Sequence, residues 1–218
     1  MCGRYSFTQL AETIADKFQV KEVSPLSPRY NIAPTQQVAT IFVNSETLER
    51  QFKMLRWGLI PSWAKDAKMG AKLINARAET VAEKPAFRAS FKKRRCLILA
   101  DGFYEWHTEN GKKQPFYFRL ENGEPFAFAG LWSHWEKGEG EPVETCTIIT
   151  TEANELMSSI HDRMPVIIDS QDYEKWLDPE RGKTELLQPY PSEKMIFYPV
   201  STEVNNPKND RPECIQPI

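Results

Sequence analysis

Features that mark exported and membrane proteins are missing from this sequence. No uninterrupted apolar stretch approaches the roughly 20 residues that a membrane-spanning helix needs. The opening residues, MCGRYSFT, lack the charged start and the apolar run of a secretory signal. We therefore expect a cytoplasmic protein without a membrane partner.

Cysteine and histidine are also scarce, with four residues of the first kind and three of the second. These residues are Cys2, Cys96, Cys146, Cys214, His107, His134 and His161. No two cysteines have CxxC spacing and the histidines are scattered, so a structural zinc site is not expected. In a chain without an export signal, reduced thiols are favoured over a disulfide framework. We expect no metal and no cofactor.

An excess of positive charge is likewise absent. The formal net charge is -2 at pH 7 and the pI is about 6.0, so nucleic acid could bind only to a local basic surface. Of the 218 residues, 40% are hydrophobic, which is enough for one substantial core. No repeat or long linker divides the chain, and residues 1–218 are predicted to form a single domain.

The apolar pattern predicts an α+β protein with a β-rich core. Thr8 is a candidate N-cap for a helix in which Leu10, Ile14 and Phe18 recur every four residues on one buried face. Helical spacing also covers residues 85–91, 153–160 and 171–177. Strands are predicted over residues 38–43, 52–57, 96–100, 116–120, 126–131, 146–150, 165–168 and 195–200.

Two Asn-Gly pairs predict tight turns in the middle of the chain. Asn110-Gly111 and Asn122-Gly123 each lie between apolar runs, and the primed turns of hairpins favour this dipeptide because they need positive φ. We therefore expect an antiparallel meander from Cys96 to Leu131.

Cys2 is the most informative position for chemistry. If Met1 is removed, Cys2 carries a free α-amine and a thiol on one residue. An α-amine has a pKa of about 7.7–8.0, against about 10.4 for lysine, so it is the better nucleophile at neutral pH. The amine can condense with an aldehyde, and the adjacent thiol can then close a five-membered thiazolidine. The competing interpretation is an ordinary small residue in a frayed terminus.

Six ordered blocks elsewhere in the chain bear on that choice. They are MCGRY, RYNIAPTQ, WGLIPSW, LINARAET, LADGFYEW and IHDRMPVII. Together they closely resemble the SRAP family, the SOS-response-associated proteins that process abasic sites, and the resemblance extends to the closing IQPI. It implies a single domain with short helices around a mainly antiparallel, barrel-like sheet. It also implies that Cys2 crosslinks to the ring-opened sugar of an abasic site.

The resemblance implies roles for three further residues in the chemistry. Asn75 would hydrogen-bond the sugar or the cysteine terminus, although on residue type alone a turn or cap is favoured. Glu105, between aromatic residues, would orient the amine and exchange protons, whereas its ordinary interpretation is the outward face of a strand. His161 would give a proton to the sugar ring oxygen and assist reversal of the crosslink. The alternative for His161 is a core histidine bonded to a carbonyl.

Other residues are candidates for holding DNA. Trp63 would stack on a base and Pro34 would act as a wedge, although a core tryptophan is the alternative for Trp63 and Trp57. Some family members carry a second aromatic residue where this chain has Ala64, so stacking here is either weaker or supplied elsewhere. The candidates for phosphate and sugar contacts are Arg4, Arg77, Thr150, Arg163 and the run from Lys92 to Arg95. A solvated surface charge is the alternative for Arg77, and a run of this kind is more often just a solvated patch.

The prediction is therefore a protein that traps abasic sites in single-stranded DNA covalently, with a possible weak lyase activity and no obligate protein partner. Two other classes stay open. One is a cysteine peptidase that uses Cys2, His161 and Glu105, in its mildest form for removal of Met1. The other is a single-strand-binding module that uses Trp63 and the arginines without any covalent step.

Overall fold

The computed structural model describes residues 2–44, 46–109, 111–136, 141–181 and 184–218. The strands are β1 (Tyr5–Phe7), β2 (Arg29–Ile32), β3 (Gln37–Val43), β4 (Arg50–Trp57), β5 (Asn75–Arg77), β6 (Arg95–Ala100), β7 (Gly102–Glu109), β8 (Lys112–Leu120), β9 (Phe126–Trp135), β10 (Val143–Glu152), β11 (Arg163–Pro165), β12 (Ile167–Ile168) and β13 (Met195–Pro199). The α-helices are α1 (Ala11–Phe18), α2 (Arg88–Lys93), α3 (Glu155–Ser158) and α4 (Tyr173–Leu177). Short 3-10 helices cover Ala67–Lys72, Ser170–Asp172, Ser192–Lys194, Thr202–Asn205 and Pro212–Ile215. This is the α+β, β-rich class that the sequence predicts.

Five strands close into a barrel. The order β10-β4-β3-β6-β9 returns to β10, and every pairing in it is antiparallel except the one between β10 and β4. All six residues of β6 are buried because its outer side is also covered. The indole of Trp176 on α4 donates to the carbonyl of Cys96 on β6 at 2.9 Å. The barrel interior and this helix therefore account for the apolar runs of the central strands.

A second sheet packs beside the barrel. Its strand order is β13-β8-β7-β1-β2. Tyr5 on β1 meets two barrel residues edge to face, with ring centroids 5.3 Å from Trp57 and 5.6 Å from Phe128. These aromatic contacts join the two sheets directly beyond the N-terminal segment, so Cys2 and the residues after it enter the core rather than fraying.

The predicted cap of the first helix is wrong. Thr8 does not cap α1; its backbone amide and hydroxyl each bond the carboxylate of Asp101 at 2.6 Å. Leu10 occupies the cap position without a side-chain bond and is 59% exposed, so only Ile14 and Phe18 of the predicted face are buried. A buried carboxylate needs several donors, and the donors near Thr8 satisfy Asp101 instead of the helix terminus.

Only one of the two predicted hairpins forms. β7 and β8 pair from Phe103↔Phe118 to Glu109↔Lys112, and Gly111 follows with φ of 76°; Asn110 lies outside the described residues. Gly123 also has positive φ, 70°, but it joins β8 to β9, which belong to different sheets. The meander from Cys96 to Leu131 is therefore wrong, because β6 pairs with β9 rather than with β7.

The remaining elements follow the predictions with shifted bounds. Each of the eight predicted strands is present, although residues 165–168 divide between β11, which pairs with β10, and β12, which pairs with β9. The eight predicted strands did not include β7, although the predicted turn at Asn110-Gly111 implied a strand before it. The sequence patterns did not indicate β1, β2 or β5, which are only three or four residues long. All four cysteines are free, as expected. Within the described residues, no helix is long and apolar enough to cross a membrane.

Candidate active site

Cys2 lies in the core immediately ahead of β1, with no exposed surface. Burial raises the pKa of its thiol well above the ordinary range, and the negative charge of Glu105 adds to that rise. The amino-terminal positive charge and the backbone amide of Arg4 act in the opposite direction. The thiol is therefore protonated at neutral pH and is not a ready thiolate.

Glu105 is the buried carboxyl of the site. Both faces of β7 are covered here, since Tyr104 and Glu105 are 0% and 3% exposed, so the outward-facing alternative is wrong for Glu105. Burial raises the pKa of Glu105 to about 7, Asp162 adds to the rise, and the positive amino terminus opposes it. Near neutral pH this carboxyl is present in both protonation states, as a proton-exchanging group requires.

Asn75 stands on β5, a short strand that runs parallel to β10. Its side-chain nitrogen and oxygen are both buried and have no hydrogen-bond partner among the described residues. Each buried polar atom left in that state costs about 1–3 kcal/mol, so native proteins rarely keep one without a function. The Asn75 amide therefore has donor and acceptor capacity that no described residue uses.

Thr150 and Arg77 share the face that carries Asn75. Asn75 pairs with Ile148 and Arg77 with Thr150 across β5 and β10, and residues paired in neighbouring strands point to the same side. The Thr150 hydroxyl is buried and, within the described part of the chain, also lacks a partner. Arg77 is exposed. Three of the predicted site residues therefore lie together on one face.

His161 is held in a defined tautomer by its neighbours. The backbone amide of Arg163 donates to Nδ1 at 2.9 Å, so the proton of the neutral ring is on Nε2. The pKa of His161 is lowered, first by burial and then by the positive amino terminus. The exposed carboxylate of Asp162 lies 3.0 Å from Nδ1 and favours the charged ring, but the backbone bond already occupies that nitrogen. At neutral pH the His161 ring is therefore neutral, with its proton on Nε2.

The other arginines of the predicted groove have protein partners. Arg163 donates to both carboxylate oxygens of Glu79 and to the carbonyl of Thr150. Arg4 donates to the Asn31 side chain at 2.8 Å and to the carbonyl of Val204 at 2.7 Å. A phosphate that binds Arg4 or Arg163 would have to share or replace these protein partners. Arg77 is exposed to solvent, so a phosphate can reach it directly.

The run from Lys92 to Arg95 does not form one basic surface. Lys92 and Lys93 are exposed at the end of α2, but Arg95 is 4% exposed and donates to the carbonyl of Trp176. Its guanidinium also lies 5.0 Å from the Trp176 ring. Arg95 therefore serves the core, and its predicted place in a DNA groove is wrong.

The two tryptophans of the WGLIPSW block have opposite positions. Trp57 is fully buried and its indole donates to the carbonyl of Ile74 at 2.9 Å. Trp63 is 50% exposed, and its indole donates to the carbonyl of Pro85 at 3.2 Å. Ala64 after it is buried. Trp63 thus has the exposure that a stacking residue needs.

Pro34 lies in a strained turn that sequence reasoning missed. The next residue, Thr35, has φ of 72°, a left-handed conformation that β-branched residues rarely adopt. Its amide donates to the carbonyl of Trp57 at 2.8 Å, which fixes the turn against the barrel. Strain of this kind collects at functional sites. Glu79 was missed as well, although it follows Arg77 within the LINARAET block.

The barrel, the second sheet and this buried polar site define a class of protein. Residues 1–207 match the family described as SOS response associated peptidase (SRAP), and the chain belongs to that family. The abasic site processing protein YoqW of Bacillus subtilis is 47% identical over 99% of both chains. The abasic site processing protein HMCES of Xenopus tropicalis is 36% identical, over 94% of this chain and 68% of its own. A crystal structure of a protein from Bacteroides thetaiotaomicron matches the whole chain with a TM-score of 0.88 and 31% identity.

Proposed function

We propose that this protein recognises abasic sites in single-stranded DNA in the cytoplasm and joins them covalently through Cys2. The observation that carries the proposal is that Cys2 is buried within the electrostatic influence of Glu105, a buried carboxyl whose pKa is about 7. A thiol and a proton-exchanging acid therefore act on one another here. The printed names of the relatives, abasic site processing proteins, support the substrate class.

The proposed reaction needs no oxidant or reductant. After removal of Met1, the α-amine of Cys2 adds to the sugar aldehyde and expels its oxygen as water, which forms an imine. The thiol sulfur then adds to the imine carbon and its proton passes to the nitrogen, which closes the thiazolidine. Glu105 accepts the ammonium proton before attack and returns a proton to the departing oxygen.

Two other side chains complete the proposed chemistry. The Nε2 proton of neutral His161 is given to the ring oxygen of the sugar, which favours the open aldehyde, and is taken back on reversal. The unused amide of Asn75 binds the opened sugar or the new N-terminus. The same imine also permits β-elimination, so a weak lyase activity accompanies slow ring closure.

A peptidase is the weaker alternative. Cysteine peptidases lower the pKa of their thiol by pairing it with a charged histidine. Here burial raises the pKa of Cys2 and lowers the pKa of His161, which favours the neutral forms of both. Removal of Met1 by the protein itself needs only one turnover. Mass spectrometry of the N-terminus tests it, by comparing the purified wild type with inactive variants.

The proposal is tested with purified protein and a denaturing gel. Protein that begins at Cys2 by mass spectrometry should form a denaturation-stable species with abasic single-stranded DNA. Intact DNA and abasic DNA reduced to the alcohol are the matched controls, because neither carries an aldehyde. Cys2→Ser keeps the amine, so its adduct should survive only after borohydride reduction. A stable adduct with protein that retains Met1 rules the thiazolidine out.

A further inference from the structure

A groove borders Trp63 on the side of the following 3-10 helix. Its lining residues are Trp63, Lys65, Asp66, Lys68, Met69 and Lys72, and its volume is about 640 Å³. We propose that this lysine groove binds the single strand that flanks the lesion, with its phosphates on the lysines and one base against Trp63 and Met69. The inference rests on the proposed function and extends it beyond the reacting sugar.

The groove is built on a rigid backbone contact. Gly58 follows β4 with φ of 127°, and a side chain on Gly70 would place its Cβ 2.5 Å from the carbonyl oxygen of Gly58. Two glycines thus let the 3-10 helix Ala67–Lys72 touch the loop that carries Trp63. The amide of Leu59 also donates to the carbonyl of Leu73 at 3.1 Å. The lysines are therefore presented from a fixed helix.

Apolar surface forms the floor of the groove. Trp63 is half exposed, and the bond from its indole to Pro85 limits the orientations of the ring. Met69 and Lys72 are three residues apart, so in a 3-10 helix they lie one above the other on the same side. A polarizable thioether beside an indole suits the face of any base. This supplies the second stacking partner that Ala64 cannot provide.

The rim of the groove is positively charged. Lys65, Lys68 and Lys72 are exposed, and no ion pair between described residues involves them. The one carboxylate, Asp66, accepts from the backbone amide of Lys68 at 2.8 Å and caps the helix. This local excess of positive charge contrasts with the net charge of -2 of the whole chain.

The position of the groove identifies the strand as its occupant. Only two residues separate Lys72 from Asn75, the first residue of β5. DNA seated at Asn75 and Arg77 therefore has lysine-lined surface next to it along the same stretch of chain. An acidic peptide would match the charge equally well but would not require this continuity with the reacting site.

The test compares two lengths of single strand that carry a non-reactive abasic analogue. One oligonucleotide has about 5 nucleotides and the other about 15, which spans the range of known single-strand sites. The salt slope is the slope of the logarithm of the binding constant against the logarithm of the salt concentration. Lys68→Ala/Lys72→Ala should lower the salt slope for the longer strand by about 1.4, or about 0.7 per lost phosphate contact, and lower it by less for the shorter strand. Lys112→Ala/Lys113→Ala, two exposed lysines of β8, is the matched control.

Crosslinking separates this inference from the proposed function. The Lys112→Ala/Lys113→Ala control should crosslink the abasic strand at the wild-type rate, whereas failure of the wild type to crosslink would overturn the proposed function itself. Trp63→Ala/Met69→Ala should weaken binding of the longer strand by roughly 5- to 150-fold. The lysine groove is overturned as a DNA site if Lys68→Ala/Lys72→Ala leaves the salt slope unchanged or lowers it equally for both strand lengths. Polyglutamate serves as a model of an acidic peptide. The DNA site is also overturned if the variant loses affinity for polyglutamate while its affinity for DNA stays intact.

Discussion

Glu79 grips the guanidinium of Arg163 with both carboxylate oxygens, at 2.5 Å from Nη1 to Oε1 and 3.0 Å from Nη2 to Oε2. The Arg163 side chain holds the pKa of that carboxyl below its usual range, so the pair persists at mildly acidic pH. The backbone amide of Arg163 also donates to Nδ1 of His161. The ion pair between Glu79 and Arg163 is therefore linked to His161, the predicted proton donor, through Arg163, a predicted phosphate contact. A bidentate carboxylate occupies the groups that a phosphate would use.

Glu79→Gln should therefore tighten binding of single-stranded DNA. The change removes a competing negative charge, frees Arg163 for phosphate, and should steepen the salt slope by about 0.7. Arg77→Ala should flatten the slope by a similar amount, since Arg77 is already exposed. Fluorescence anisotropy over a salt series measures both. Weaker binding by Glu79→Gln with an unchanged slope would show that the pair only supports the fold.

His161→Ala should slow crosslink formation and also lengthen the life of a crosslink already formed. One proton donor serves both directions, as microscopic reversibility demands. The preformed adduct is challenged with excess unlabelled abasic DNA and its exchange is followed. His134→Ala, which changes a half-exposed histidine of β9, is the control. Exchange at the wild-type rate would leave His161 without a part in reversal.

Glu105→Gln should slow crosslinking by about 100-fold or more while binding of a non-reactive abasic analogue changes little. The amide keeps the shape of the side chain but cannot exchange the proton of the amine. In the wild type, the rate should rise as pH increases through about 7, where Glu105 becomes a carboxylate. A rate loss matched by an equal affinity loss would assign Glu105 to binding alone.

The same substitution should change the pH dependence of stability. The folded pKa of Glu105 is about 7 and its ordinary value 4.5, so between these the folded state holds a proton that the unfolded state has lost. Its contribution to the free energy of unfolding must then fall as pH rises through this window. The free energy of unfolding of Glu105→Gln should therefore rise relative to that of the wild type by up to about 3 kcal/mol between pH 5 and pH 8. Urea unfolding across that range checks this, and a constant difference would contradict it.

Gly102→Ala should destabilise the second sheet without touching a reacting group. A Cβ there would lie 2.1 Å from Cζ of Tyr117. Tyr117 is 2% exposed and its hydroxyl lies 2.7 Å from that of Ser6, so the ring has little room to move. Overpacking of this kind costs about 1–3 kcal/mol. An unfolding midpoint equal to that of the wild type would show that the sheet yields more easily than these contacts indicate.

The strand content could be predicted from the sequence because it depends on local order, and the aminothiol hypothesis for Cys2 likewise needs only its position in the chain. An aminothiol follows from cysteine at the second position once Met1 is removed, and apolar runs of strand length mark β3, β4 and β6 wherever they pair. The resemblance to the family blocks then predicted one site for Asn75, Glu105 and His161. Their roles stay predictions until the reactions above are measured.

Contacts between distant residues were decided only by the tertiary structure. The Asn122-Gly123 dipeptide suits a hairpin between β8 and β9 and also a turn that connects two different sheets. Which of the two forms depends on strand partners outside the turn. Likewise, Arg163 and Glu79 lie 84 residues apart, and nothing local to either predicts their pairing. The pKa of Glu105 belongs to the same group, because neighbouring residues leave a strand side chain free to face water or the core. Packing of the second sheet against the barrel removes that choice, and it is burial that turns an ordinary glutamate into an acid that titrates near neutrality.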